Sequence, residues 1–178
     1  MHVRAKKMAI SGMLLAITVI CMILGGIIET NTLFLLAAAA FFVGIIQNEF
    51  GIKYGWAFWL AAVLLGGMLV GNKFYVLSYA AMSLYILLIE SVWRYLAKHP
   101  DNKYRKQCFW AAKFVIFNAM YIPIVIGFQE LLFTENLSQI MLLTVIIIGQ
   151  IGLLIYDRAY EHVQADIWRK MRGRLLRN

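Results

Sequence analysis

Charged residues are scarce in this sequence. Only 15% of its 178 residues are Asp, Glu, Lys or Arg, whereas 62% are hydrophobic and the mean hydropathy is +0.74. Soluble domains carry about 25% charged residues, so the shortage excludes an ordinary soluble protein and indicates a membrane protein. No segment is long and polar enough to form a second globular domain.

Cysteine and histidine are also few. Cys21 and Cys108 lie in or beside apolar runs at what we expect to be opposite ends of the molecule, so neither a disulfide nor a cysteine metal site is expected. His2, His99 and His162 all flank the apolar runs, which excludes haem or zinc ligation within the membrane. A phosphate-binding glycine loop and a nucleophile elbow are absent. We therefore predict a protein that is not an enzyme and has no metal or cofactor.

Acidic residues number 9 against 17 basic ones, and few charges of either sign fall deep within the apolar runs. A proton relay needs several such charges inside the membrane. A channel needs a continuous polar path, which the apolar middles of the first and fourth runs do not suggest. A self-contained transporter or channel is therefore the least favoured transport hypothesis.

Six apolar runs are long enough to cross the hydrocarbon core, which takes about 20 residues. The first follows a basic start at residues 1–7 and has no small-residue cleavage motif, so we interpret it as a retained span. The predicted fold class is therefore an all-α, polytopic membrane protein with six transmembrane helices. The predicted spans are residues 8–28, 33–51, 54–71, 74–93, 109–133 and 137–156.

The basic residues predict the orientation. With both termini in the cytoplasm, every Lys and Arg except Lys73 falls on the cytoplasmic side. This distribution explains the net charge of +8 without a nucleic-acid partner. Residues 1–156 are thus predicted to form the transmembrane domain of a multi-pass protein of the cell membrane, in contact with the lipid bilayer.

Residues 157–178 are predicted to form a cytoplasmic, basic, amphipathic helix. It either continues the sixth span or lies on the inner surface among anionic headgroups. Its apolar positions are Tyr160, Val163, Ile167, Met171 and Leu175.

Small residues recur along one face of the first span, at steps of four, three and four. Such residues let transmembrane helices approach closely, so this face either packs internally or docks another membrane protein. Gly67 and Gly71 form a similar pair in the third span, which we interpret as internal packing. The residues on the first span are Ala5, Ala9, Gly12 and Ala16.

Two ion pairs are expected near the cytoplasmic ends of the spans. Glu49 in the second span and Lys113 in the fifth would neutralise each other, because isolated charges are costly in the membrane. Glu90 and Arg94 stand four residues apart in the fourth span and are expected to form a surface pair.

Polar side chains gather near the outer ends of the spans. Asn118 and Tyr121 share a face of the fifth span beside Pro123, which is expected to kink the helix. Together with the outer loops they can converge on an outward-facing pocket. The alternative is an interfacial role, with aromatic belts and with Lys73 reaching lipid headgroups. The candidate substrate-binding residues are Glu29, Asn31, Asn72, Lys73, Asn118 and Tyr121.

The start of the first span, residues 6–16, reads KKMAISGMLLA. It resembles the first helix of the substrate-binding (S) components of energy-coupling-factor (ECF) transporters, in which a small-residue stripe follows a basic start. The resemblance extends over the chain in size, span number and orientation. It makes Ala9, Gly12 and Ala16 the candidate partner-docking residues, with Gly12 and Ala16 where that family usually has a pair of alanines. Residues 30–36, 71–73 and 154–157 are also similar to an uncharacterised group of bacterial membrane proteins sometimes grouped with S components.

This resemblance implies a subunit that captures a vitamin-like micronutrient outside the cell and depends on a transmembrane coupling subunit with ATPases. The expected function is therefore substrate capture, for a small molecule that the sequence does not identify. The alternative is a non-transport membrane scaffold or accessory protein, whose small-residue stripes and basic tail serve assembly.

Overall fold

The computed structural model describes residues 2–98, 104–127 and 139–170. Within these ranges the chain is helical apart from short connections and contains no strand. Six of its helices are long and apolar enough to cross a membrane, so the predicted all-α, six-span fold is confirmed. Residues 128–133 of the fifth predicted span and 137–138 of the sixth lie outside the described residues. The helices are α1 (His2–Ile27), α2 (Thr32–Phe50), α3 (Ile52–Leu69), α4 (Lys73–Ala97), α5 (Arg105–Gly127) and α6 (Gln139–His162).

The first four helices follow one another through very short connections. A single 3₁₀ turn, Glu29–Asn31, joins α1 to α2. Gly51 alone joins α2 to α3, at a φ of 105°. This left-handed conformation favours glycine, which has no Cβ to clash with the backbone. The amide of Gly51 donates to the Gln47 carbonyl at 3.0 Å and thereby closes the last turn of α2.

The chain divides into two compact units, which we call unit 1 (residues 1–105, with α1–α4) and unit 2 (residues 106–178, with α5 and α6). Helix α2 is central in unit 1, since it packs against α1, α3 and α4. Its sequence is apolar almost all round, as expected of a helix with neighbours on several sides. By contrast, large apolar side chains of α1 and α3 are exposed, Met68 to 81%, as expected of surfaces that face lipid.

The glycines that let α3 pack closely are Gly55 and Gly66. A Cβ on Gly66 would lie 2.9 Å from Cε of Met22, so this glycine brings α3 against α1. A Cβ on Gly67 or Gly71 would meet no atom of the described residues within 4 Å. The prediction that Gly67 and Gly71 pack internally is therefore wrong for unit 1, because the buried stripe of α3 runs one residue away from Gly67.

The small-residue face of α1 points away from the core of unit 1. Ala9, Gly12 and Ala16 are all exposed, as is Ala5, and a Cβ on Gly12 would meet none of the described atoms within 4 Å. The buried face of the helix carries Ile10, Leu14, Thr18, Val19 and Met22 instead. Of the two interpretations of this stripe, internal packing is therefore wrong for unit 1.

Helix α4 supports the end of α2. The guanidinium of Arg94 donates to the carbonyl of Gln47 and, at 3.0 Å, to that of Asn48. The Gln47 carbonyl also accepts the Gly51 amide, so the guanidinium adds a second bond there and complements the negative end of the α2 dipole. The sequence analysis expected Arg94 to pair with Glu90 and did not predict that it caps α2.

Helices α5 and α6 of unit 2 run antiparallel. Lys113 bonds to Asp157, whereas Tyr121, further along α5, bonds to Val145, which is nearer the start of α6. After His162 the chain continues through a π-helical turn, Val163–Trp168, and remains helical to Lys170. Ile140–Asp166 alone has 27 residues. At 1.5 Å per residue it is about 40 Å long, which exceeds a hydrocarbon core of about 30 Å. Within the described residues, the helix therefore runs on past Asp157 to Lys170.

The extension of α6 has one buried face. Tyr160 and Trp168 are buried and Val163 is half-buried, while Arg158 and Arg169 are exposed. The amphipathic pattern predicted from the sequence thus included Tyr160 but missed Trp168. The predicted positions Met171 and Leu175 lie outside the described residues.

Candidate functional site

Two connections of unit 1 meet at one end, which the charge distribution predicts to be the outer end. A Cβ on Gly26, near the end of α1, would lie 3.4 Å from Cε2 of Tyr75, near the start of α4. The α1–α2 and α3–α4 connections therefore lie together. This outer end of unit 1 holds four of the six candidate substrate-binding residues, namely Glu29, Asn31, Asn72 and Lys73.

Lys73 is folded back on the last turn of α3. Its Nζ donates to the carbonyls of Gly67 at 2.6 Å and Val70 at 2.9 Å. A lysine in this position satisfies orphan carbonyls and complements the negative end of the helix dipole. The amine therefore has a structural role in α3, and whether it also contacts a substrate remains a prediction.

Asn72 and Asn31 stand at the starts of α4 and α2. Oδ1 of Asn72 accepts a hydrogen bond from the amide of Phe74 at 3.0 Å, which caps α4. Asn31 occupies the corresponding position of α2 but makes no side-chain capping bond. The Thr32 hydroxyl instead donates to the carbonyl of Gly25 at 2.7 Å and holds α1 and α2 together. Glu29 lies in the 3₁₀ turn between them.

Inward of these residues lies Tyr79, whose side chain is completely buried. It follows Lys73 by six residues, or about 9 Å along α4. Its hydroxyl makes no hydrogen bond of ordinary geometry among the described residues. The Ser83 side chain, one turn further on, interacts with it, but its hydroxyl donates to backbone carbonyls of α4. The sequence places Tyr79 among the polar residues of the outer half but does not single it out, because periodicity alone does not show which tyrosines lack a partner.

The other two candidates, Asn118 and Tyr121, lie in unit 2. Nε2 of Gln150 donates to Oδ1 of Asn118 at 2.8 Å, and Nδ2 of Asn118 donates back to Oε1 of Gln150 at 3.3 Å. The Tyr121 hydroxyl donates to the carbonyl of Val145 at 2.9 Å. These bonds link α5 to α6, as expected for Gln150, whose predicted partner was a neighbouring helix. Both candidate side chains therefore already have partners within the unit.

Gly149 provides the space for the Tyr121 ring. A Cβ there would overlap this ring and lie only 2.6 Å from Oη, whereas a Cβ on Gly152 would meet no atom within 4 Å. We expect Gly149→Ala to displace the ring, break its bond to Val145 and lower the free energy of unfolding by about 1–3 kcal/mol. The matched Gly152→Ala should instead raise it by up to about 1 kcal/mol through helix propensity. Thermal unfolding of both variants in detergent tests this, and equal effects would contradict the packing described.

Unit 2 also contains a buried cluster of charges. Nζ of Lys113 lies 2.6 Å from Oδ2 of Asp157 and 3.0 Å from Oε1 of Glu161. The side chains of Lys113 and Asp157 are each only 4% exposed. The ring centroids of Phe109 and Trp110 lie 4.6 and 5.1 Å from the amine. The ammonium is thus enclosed by two carboxylates and two aromatic faces, which favour a cation.

Glu161 of this cluster also pairs with Arg158, at 3.4 Å. The sequence interpretation paired Lys113 with Glu49 and missed Asp157, which the structure places on the amine. The available signal was the spacing of Asp157 and Glu161, which puts two carboxylates on one face of a helix.

The described residues offer hydrogen-bonding groups and compensated charges. No group of three or more His, Cys, Asp or Glu side chains within the described ranges is arranged to hold a metal ion. The outer end of unit 1 offers hydrogen-bonding groups, and substrate binding by them stays a prediction. Comparisons of the chain with protein-family models, with curated proteins and with solved structures find no match.

Proposed function

We propose that this chain is a membrane subunit that captures a small polar solute at the outer end of unit 1. The observation that carries the proposal is the hydroxyl of Tyr79, which is buried in the outer half of the unit without a hydrogen-bond partner among the described residues. A buried, unpaired hydroxyl costs roughly 1–3 kcal/mol. A solute that bonds this oxygen recovers that cost. An unpaired polar group beneath the polar residues of the α1–α2 and α3–α4 connections therefore favours binding.

The two connections at the outer end of unit 1 supply further polar groups. Asn31 makes no capping bond, and Asn72 and Lys73 lie on the next connection at the same end. The amide groups of both asparagines can donate and accept, so the proposed solute is a small molecule with several hydrogen-bonding groups. Its transport would need a partner, since the sequence contains no phosphate-binding glycine loop.

The exposed small-residue face of α1 supports such a partner. Ala9, Gly12 and Ala16 lie in the predicted cytoplasmic half of the helix, where no other described residue covers them. A second transmembrane helix can approach such a face closely. The resemblance to ECF S components makes a transmembrane coupling subunit with ATPases the proposed partner.

A second candidate function is a membrane scaffold or accessory protein. It is favoured by the internal bonds of four candidate residues, since Asn72 and Lys73 cap helices and Asn118 and Tyr121 join α5 to α6. On this interpretation the polar groups stabilise the fold and the α1 face serves assembly alone. The scaffold binds a protein but no solute.

Tyr79→Phe separates the two candidates, because it removes the unpaired oxygen and keeps the ring. We expect the ligand-free variant to be as stable as the wild type or up to about 1 kcal/mol more stable, because no hydrogen bond is lost. We also expect it to bind the captured solute at least about tenfold more weakly. The measurement is the thermal shift of purified protein across a library of small polar metabolites, followed by titration of any that stabilise it.

Tyr95→Phe, at an exposed tyrosine near the opposite end of α4, is the matched control and should bind as the wild type does. Equal affinity of wild type and Tyr79→Phe for the stabilising solute would remove Tyr79 from the site. A wild type that no library member stabilises, but that holds a stoichiometric protein partner, would favour the scaffold.

A further inference from the structure

Two buried polar atoms in the predicted cytoplasmic half of unit 1 have no hydrogen-bond partner among the described residues. They are Oγ of Ser11 on α1 and Oε1 of Gln47 on α2. Gln47 is completely buried, and its Nε2 donates to the Leu87 carbonyl at 3.2 Å and to the Ser91 hydroxyl at 3.0 Å. Since the two ends of a planar amide point apart, Oε1 faces away from these two groups on α4.

The space beside Oε1 is bounded by α3. A Cβ on Gly55 would lie 3.0 Å from this oxygen, so α3 approaches it closely there and the glycine keeps a side chain from crowding it. Among the described groups, none that lies there donates a hydrogen bond to it. A buried amide oxygen costs roughly 1–3 kcal/mol when it accepts no bond.

Helix register places Ser11 at the depth of Gln47. The amine of Lys7 lies 5.6 Å from the ring centroid of Phe50, which fixes the level of α1 against α2 near the cytoplasmic end. Further out, a Cβ on Gly25 would lie 3.7 Å from the Thr32 side chain, so the two helices run antiparallel. One turn inward from Lys7 leads to Ser11, and one turn inward from Phe50 leads to Gln47.

We propose that a water molecule is bound between Ser11 and Gln47. The serine hydroxyl can donate to the water, and the water can donate to Oε1, which accepts only. Buried waters typically satisfy such groups and make two to four hydrogen bonds. The site would link α1 to the amide that already joins α2 to α4. It involves neither Tyr79 nor the outer end, so it stands or falls independently of the proposed solute site.

A double-mutant cycle between Ser11→Ala and Gln47→Met tests the link. We expect Ser11→Ala to lower the Tm of the wild type but to have little effect in the Gln47→Met background, with a non-additivity of about 2–4 °C. Ser83→Ala, at a buried serine whose hydroxyl bonds to its own helix, is the matched control and should add to Gln47→Met. Additivity of Ser11→Ala with Gln47→Met would overturn the proposal.

A high-resolution structure of the wild type provides a test that does not depend on the variants folding. We expect density for a water within about 2.6–3.2 Å of both oxygen atoms. Density that instead shows Oγ of Ser11 bonded to a backbone carbonyl of α1, with nothing bound at Oε1 of Gln47, would overturn the proposal.

Discussion

Lys113→Met is expected to lower the free energy of unfolding by about 3–5 kcal/mol, because it removes the cation that lies against the buried carboxylate of Asp157. The amine lies 2.6 Å from Oδ2 of Asp157, and both side chains are only 4% exposed. Methionine keeps most of the length and apolar surface of lysine, so the loss reports the charge. The measurement is thermal or chemical unfolding of the purified variant in detergent, followed in unit 2 by a probe such as Trp110 fluorescence.

The double variant Lys113→Met/Asp157→Leu removes both charges and should recover most of the lost stability, since an apolar pair can replace a buried ion pair. Lys73→Met is the matched control, because that lysine is exposed and, among the described residues, donates to the carbonyls of Gly67 and Val70. It should cost less than about 1 kcal/mol. If Lys113→Met is no worse than Lys73→Met, or if the double variant is no better than the single, the cluster does not stabilise unit 2 as described.

Gly55→Ala is expected to lower the free energy of unfolding by about 1–3 kcal/mol through overpacking. Its Cβ would lie 2.8 Å from Cβ of Gln47 and 3.1 Å from Cδ2 of Leu87. The first of these atoms is fixed to the backbone of α2, so it cannot rotate away. Since Gly51 alone connects α2 to α3, the two helices have little freedom to separate at this end.

Gly67→Ala is the matched control for Gly55→Ala, because both glycines lie in α3 and a Cβ on Gly67 would meet no atom within 4 Å. Helix propensity should make this variant more stable, by up to about 1 kcal/mol. The comparison requires the Tm of both variants under one set of detergent and lipid conditions. A Gly67→Ala variant that is the less stable of the two would mean that α3 turns a different face to the core.

The number and approximate ends of the spans could be predicted from the sequence, because apolar runs of fixed length are required to cross the hydrocarbon core. The faces of the helices could be predicted less well. Gly66 and Gly67 are neighbours and differ little as sequence signals, yet only Gly66 meets Met22. The choice between them depends on the rotation of α3 within unit 1, which is set by packing across several helices.

The partners of charged and polar groups were harder to predict than their positions. Lys113 needed a carboxylate, and the sequence offered Glu49, but the antiparallel arrangement of α5 and α6 brings Asp157 to the amine. Lys73 was noticed as the isolated cation, but its bonds to Gly67 and Val70 follow from the tight turn between α3 and α4. Such pairings depend on distances across the fold, which hydropathy and charge counts do not contain.

The buried oxygens of Tyr79, Gln47 and Ser11 that lack hydrogen-bond partners among the described residues illustrate the same limit. Tyr79 and Gln47 are ordinary residues in sequence, and each could have bonded to a neighbouring helix. Only the packed structure shows that Oη of Tyr79 and Oε1 of Gln47 are buried without partners among the described residues. Buried polar atoms without partners therefore support functional hypotheses that the sequence alone does not.

Native mass spectrometry of the gently purified protein tests the central proposal of solute capture most directly. We predict a species heavier than the bare chain by one small molecule, which is released on activation and is depleted in Tyr79→Phe but not in Tyr95→Phe. Spectra that contain only the bare chain, lipid adducts or a protein partner, with no difference between the wild type and Tyr79→Phe, would contradict solute capture at the outer end of unit 1.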